Sequence, residues 1–172
     1  MKTLKISLDL SAELRAKRLP QTINQVAELY QRLVLVAALS GAGKTAALMT
    51  AAHETHGHYI NISLELSQRL LDLTERQRAV RVNQLLEEII SVENNQIMLL
   101  DNLELLFDAS LKQDPLRLLQ GLSRHRTVVA AWNGTIVNDR LTYASPGHPE
   151  YRSYPAADLT VLSIHTGNEH TA

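Results

Sequence analysis

Residues 38–45 read "ALSGAGKT", between the apolar run "LVLVA" at 33–37 and the helix-prone "KTAALMTAAHET" at 44–55. A turn that holds phosphate needs inward-pointing backbone N–H groups, glycines for close approach, a lysine for the terminal phosphates and a hydroxyl for magnesium. Ser40, Gly41, Ala42, Gly43, Lys44, Thr45 and Ala46 form such a stretch, and Lys44 is the only lysine between Lys17 and Lys112. The spacing departs from G-x-x-x-x-G-K-[ST] only at Ala38, which takes the place of the first glycine. With a positive φ, alanine there would cost about 1–2 kcal/mol. An intact loop therefore requires a negative φ at Ala38.

Working outward, the stretch 33–39 is uninterrupted in its apolar character, as in a central parallel strand covered on both faces. Before it, the opening thirty or so residues read as a helical lead-in over 1–32. In "LPQTINQVAELYQRL" (19–33), Ile23, Val26, Leu29, Tyr30 and Leu33 recur at three- and four-residue steps, with Thr22 as a cap. Beyond the loop helix, "HYINIS" (58–63) alternates as a strand does. Two helical stretches follow, the second with Val82, Leu85, Leu86, Ile89 and Ile90 as its buried stripe. "QIMLLDN" (96–102), "TVVAAWNG" (127–134) and "DLTVLSIH" (158–165) complete a count of five strands, mostly separated by helices. Alternation of this kind predicts a parallel sheet with helices on both faces.

Composition sets the outer limits. The 172 residues suit a single domain, and 45% hydrophobic residues suffice for its core. Seventeen Lys and Arg against eighteen Asp and Glu leave a net charge of −1, so DNA would have to meet a local patch. "SRHR" (123–126) is a small basic cluster with no wider basic surface behind it. No cysteine is present, which excludes disulfides and thiolate metal sites. His53, His56 and His58 straddle a helix end and a strand start without an acidic companion at ligand spacing, so they do not read as a metal site. Neither a signal-peptide segment nor a membrane-length apolar run is visible, and a soluble cytoplasmic protein is expected. Residues 134–157 read as a long loop holding Tyr143, Tyr151 and Tyr154 with Arg140 and Arg152, and 166–172 as a flexible tail.

Magnesium also needs a carboxylate at the end of a neighbouring strand, and Asp101 in "IMLLD" supplies it, so Thr45 and Asp101 are the expected metal-holding pair. "ALSGAGKT", "IMLLDN" and "AAWNG" together resemble the Walker A, Walker B and sensor-1 elements of P-loop ATPases of the AAA+ and related additional-strand group, over roughly residues 22–165. The resemblance implies ATP with Mg²⁺, a sheet order of 5-1-4-3-2, and a role for Asn133 in sensing the γ-phosphate. The absence of the N-K-x-D motif of G proteins also leans toward ATP. With "LLDNLELLF" and "AWNG" in a small chain, the sequence further resembles the BrxF family of lidless P-loop proteins from type 3 BREX phage-defence systems. That resemblance implies a bacterial complex with a larger ATPase partner.

The departures from the AAA+ pattern bear on turnover. Members that hydrolyse well usually carry glutamate directly after the Walker B aspartate, where this chain has Asn102. An amide can orient water but cannot take its proton, and general-base help is worth about 10²–10⁴-fold. Glu104, two residues on, reads slightly better as a solvated acid at a helix start. The chain closes with the nine residues "IHTGNEHTA" (164–172) from the end of the fifth strand, which leave no room for the helical lid of the family. A neighbouring subunit or partner would close the site, with Arg152 the best-placed arginine finger, followed by Arg140 and Arg126. The expectation is an ATP-binding protein that self-assembles through its nucleotide face, with weak or partner-stimulated hydrolysis by way of Lys44, Asp101, Asn102, Asn133 and Arg152. The alternative is a nucleotide-gated scaffold or adaptor without meaningful turnover.

Overall fold

The computed structural model describes residues 5–7, 12–92 and 94–164. Its centre is a six-stranded parallel sheet. Strand β2 (Leu33–Ala38) lies between β5 (Thr127–Asn133) and β9 (Val161–Ser163). β4 (Ile97–Asp101) and β3 (His58–Asn61) continue beyond β5, and β1 (Lys5–Ser7) lies outside β9. In the numbering of the five strands expected from sequence, this is the order 5-1-4-3-2, extended by β1.

The apolar run of β2 is explained by its two covered faces. Val34, Val36 and Ala38 join a core with Leu19, Ile23 and Val26 of α1 (Ala12–Val26) and Leu48 and Ala51 of α2 (Lys44–Thr55). Leu33, Leu35 and Ala37 join the opposite core, with Ile62 and Leu66 of α3 (Ile62–Leu70), the stripe of α4 (Glu75–Ser91), and Leu116 and Leu119 of α5 (Pro115–Leu122). Successive strand residues point to opposite faces, so a strand buried on both sides loses the polar half of its alternation. The α4 stripe lies where its spacing put it, with Val82, Leu85, Leu86, Ile89 and Ile90 all buried. Its start is closed by Thr74, which accepts from the Gln77 backbone while the Gln77 side chain accepts from the Thr74 N–H.

The expectation for residues 1–32 needs correction. Residues 5–7 form a strand paired with β9, so 1–32 is not a purely helical lead-in. α1 also begins earlier than expected, which leaves Thr22 inside the helix rather than capping it, its hydroxyl bonded to the Arg18 carbonyl at 2.9 Å. The buried stripe ends at Val26, and Leu29 and Tyr30 lie past the helix in contact with solvent. A three-residue strand is too short for periodicity to register, and the spacing of Leu29 and Tyr30 matched a helix that had already stopped.

Residues 134–157 are not a structureless connector. They contain the antiparallel strands β6 (Ile136–Val137), β7 (Arg140–Tyr143) and β8 (Arg152–Pro155). Val137 pairs with Arg140 across Asn138 and Asp139, whose φ values of 48° and 62° suit a two-residue hairpin turn. This small sheet is fastened to the main one through aromatic side chains. Phe107 stacks on Tyr143 at 3.5 Å between ring centroids, and Trp132 meets Phe107 edge-on at 5.1 Å. The Trp132 indole N–H donates to the Thr142 carbonyl at 2.9 Å, and Tyr154 donates to Asp114 at 3.0 Å. Gly134 is required at this seam, because a Cβ there would lie 1.8 Å from the Thr142 carbonyl oxygen. The expected tail at 166–172 lies outside the described residues.

Candidate nucleotide site

Register brings the candidate residues together. β2 and β5 pair from Leu33 with Val128 to Ala38 with Asn133, and β3 and β4 pair so that Asn61 meets Asp101. Ala38, Asn133 and Asp101 therefore end at the same carboxyl edge of the sheet. In open α/β sheets ligands bind outside that edge, where the connections diverge.

Ala38 keeps a negative φ as the last residue of β2, as an intact loop requires. The chain then turns through Gly41, with φ 79°, and Gly43, with φ 94°, before α2 starts at Lys44. Neither glycine has a heavy atom within 4 Å of where a Cβ would stand, so backbone conformation rather than crowding selects glycine. Ala42 is buried in the core under the loop. Ser40, Gly41, Gly43, Lys44, Thr45, Ala46, Asp101, Asn102 and Asn133 line one cavity of about 460 Å³, joined by Met49, Glu104 and Ala131.

Within the cavity the polar groups are mutually bonded. The Lys44 ammonium donates to the carbonyls of Ala38 at 2.9 Å and Leu39 at 2.8 Å. Burial lowers its pKa below the ordinary lysine value, while the carboxylates of Asp101 and Glu104 act in the opposite direction. Asp101 is buried and fully engaged: its Oδ2 accepts from the Thr45 hydroxyl at 2.6 Å and the Tyr59 hydroxyl at 2.8 Å, and its Oδ1 from the Asn102 N–H at 2.9 Å. A hydroxyl beside a carboxylate is the hard oxygen set that magnesium takes from a protein while keeping waters and substrate phosphates as its other ligands. Thr45 and Asp101 thus fit that ion, which when bound would screen the charge of the phosphates.

Two residues of this site stand out from the expectation. Glu104 is exposed at the start of a 3₁₀ turn, as expected of a helix-start acid, but its side chain also lines the cavity and accepts from the Asn133 amide. Tyr59 carried no functional signal in the sequence, because its reach to Asp101 depends on how β3 lies beside β4. Burial, then its bond to Asp101, pushes the Tyr59 phenol up to about 12, so it remains a donor through neutral pH. Tyr59→Phe removes one hydrogen bond to a charged acceptor, and a stability loss of about 1.5 kcal/mol is expected at pH 7. Urea unfolding followed by Trp132 fluorescence measures it. Because the folded phenol keeps its proton longer than the unfolded one, that contribution is intact below about pH 10 and fades as the pH rises toward 12.

The expected arginines do not reach the cavity in this chain. Arg152 lies on β8, where its guanidinium donates to the Tyr151 carbonyl at 3.0 Å. Arg140 bonds the Ser153 hydroxyl and carbonyl across β7 and β8. Arg126 donates to the Ile90 carbonyl in the last turn of α4, a placement that favours a cation. Among the described residues no group of three or more His, Cys, Asp or Glu could hold a metal ion, and no helix is long and apolar enough to cross a membrane.

The parallel sheet, the glycine turn from β2 into α2 and the Thr45–Asp101 pair at its edge define the core of a P-loop nucleotide-binding fold. No family model matches the chain, and no curated protein matches it either. Solved structures similar to it include a DNA replication initiation factor, at 16% identity and a TM-score of 0.45, covering 73% of this chain and 39% of that one. Another is PCH-2 of C. elegans, at 14% identity and a TM-score of 0.43, covering 89% of this chain and 39% of that one. The chain spans about two fifths of the length of each.

Proposed function

We propose that the protein binds ATP with magnesium, hydrolyses it weakly or under stimulation by a partner, and self-assembles through its nucleotide face. The observation that carries this reading is the convergence of Lys44, Thr45, Asp101 and Asn133 on one cavity beside the glycine turn. In it, the backbone of residues 40–46 cradles the phosphates, Lys44 neutralises them, Thr45 and Asp101 hold the ion, and Asn133 meets the γ-phosphate. Assembly is supported by the exposed apolar side chains of Leu39 and Met49 beside the loop, and in an assembly Arg152 is the candidate finger for a neighbour's site. By resemblance to the BrxF family, the setting is a bacterial phage-defence complex of the BREX type with a larger ATPase.

A nucleotide-gated scaffold without turnover is the second reading, favoured by Asn102 at the position after Asp101. Mass and phosphate release, measured together with and without ATP and magnesium, separate the two. The expected result is a larger species and slow release when both are present. Assembly without release selects the scaffold. If ATP changes neither and does not bind, the nucleotide reading fails.

A further inference from the structure

The residue after Asp101 cannot accept a proton, yet the chain does bring a carboxylate to the cavity. The path from Asp101 to Glu104 explains how. Asn102 takes a left-handed backbone, with φ 52°, which bends the chain as it leaves β4. Ser63, at the start of α3, fastens both ends of the bend. Its N–H donates to the Asn102 carbonyl at 3.0 Å, its hydroxyl donates to the same carbonyl, and its Oγ accepts from the Leu105 N–H at 3.3 Å. Leu103, Leu106 and Phe107 are buried, which orients the short 3₁₀ turn Glu104–Phe107 and leaves Glu104 on its outer side. There the carboxylate lies against the Asn133 amide, on the wall shared with Gly43, Lys44, Thr45 and Asp101.

Resting on the ATP reading above, we infer that Glu104 is the general base for ATP hydrolysis in this chain, taking the part that the residue at 102 cannot. An asparagine amide has two N–H donors. One holds Glu104, and the other is free for a γ-phosphate oxygen, so Asn133 aligns the base and the phosphate together. In the reaction the Glu104 carboxylate accepts one proton from a water molecule as the water oxygen bonds to the γ-phosphorus. The bond from that phosphorus to the β–γ bridging oxygen breaks, its electron pair leaves with ADP, and the protonated Glu104 returns its proton to solvent. The left-handed turn at Asn102 is the backbone device that presents position 104 to the cavity.

Glu104→Gln keeps the shape and an acceptor for Asn133 while removing the base. On the full chain, equilibrium binding of magnesium-ATP and single-turnover release of labelled phosphate, with protein in excess over long incubations, are to be measured. Wild-type release is expected above the protein-free rate. The variant is expected to bind ATP within about twofold and release phosphate at least about 10²-fold more slowly. Native Trp132 fluorescence in both proteins establishes that the fold is kept. ATP binding with equal rates in the two proteins, or with wild-type release at the protein-free rate, overturns the assignment of Glu104 alone. Failure of the wild-type chain to bind ATP overturns the nucleotide reading and this inference with it.

Discussion

Lys44→Ala is expected to weaken magnesium-ATP binding by about one to two orders of magnitude. A hydrogen bond to a charged group contributes about 1.5–3 kcal/mol, and the substitution removes the one lysine of the phosphate loop. The surroundings of Lys44 set the size of this effect. Lys44 is only 8% exposed and gives two of its three N–H donors to the Ala38 and Leu39 carbonyls, so a phosphate would meet the third N–H and compete with two backbone acceptors for the others. The competition is favourable because a phosphate oxygen carries charge and a carbonyl does not. Alanine also leaves those carbonyls without the lysine donor, so some stability falls with affinity. Titration of the variant at a temperature where circular dichroism reports it folded isolates the binding term. Unchanged affinity would remove the phosphate loop from the proposed function.

Trp132→Ala is the substitution with the largest expected cost in stability, about 3–5 kcal/mol. The indole is 1% exposed, and its rings touch Phe107, Tyr143 and Tyr154 at centroid distances of 5.1, 6.2 and 5.9 Å. It belongs to β5 and precedes Asn133 directly, while its N–H holds the Thr142 carbonyl of β7. Removing it empties the seam between the two sheets and deprives a backbone acceptor of its donor. Since the chain has a single tryptophan, the urea midpoint is to be followed by far-ultraviolet circular dichroism. A loss under about 1 kcal/mol would mean that the small sheet stands without this anchor, outside the range for emptying an aromatic core position. The same seam ties Asn133 mechanically to β7, so the proposed nucleotide contact at Asn133 would act on a fastened element rather than on a free loop.

Much of the architecture was legible because burial leaves a local mark. β2, β4 and β5 are covered on both faces, and their sequences "LVLVAA", "IMLLD" and "TVVAAWN" are almost wholly apolar for that reason. The α4 stripe is likewise a local pattern. The small sheet was not legible, since its strands are two to four residues long and owe their order to contacts with Phe107, Trp132 and Asp114 from other parts of the chain. β1 is a similar case, a three-residue strand that exists by pairing with β9, more than 150 positions away.

At the site, the division follows the reach of each interaction. The residues of the phosphate turn are contiguous, so their spacing alone determined a glycine loop followed by Lys44 and Thr45, and the requirement on Ala38 could be stated from backbone sterics. The apolar run before Asp101 likewise marked it as a strand-end acid. What only the tertiary structure decided is which side chains meet across strands: Tyr59 on Asp101, Asn133 on Glu104, and Arg152 kept on the small sheet. Those meetings depend on strand register and on one left-handed residue at Asn102, features that long-range pairing sets and that no spacing along the chain records.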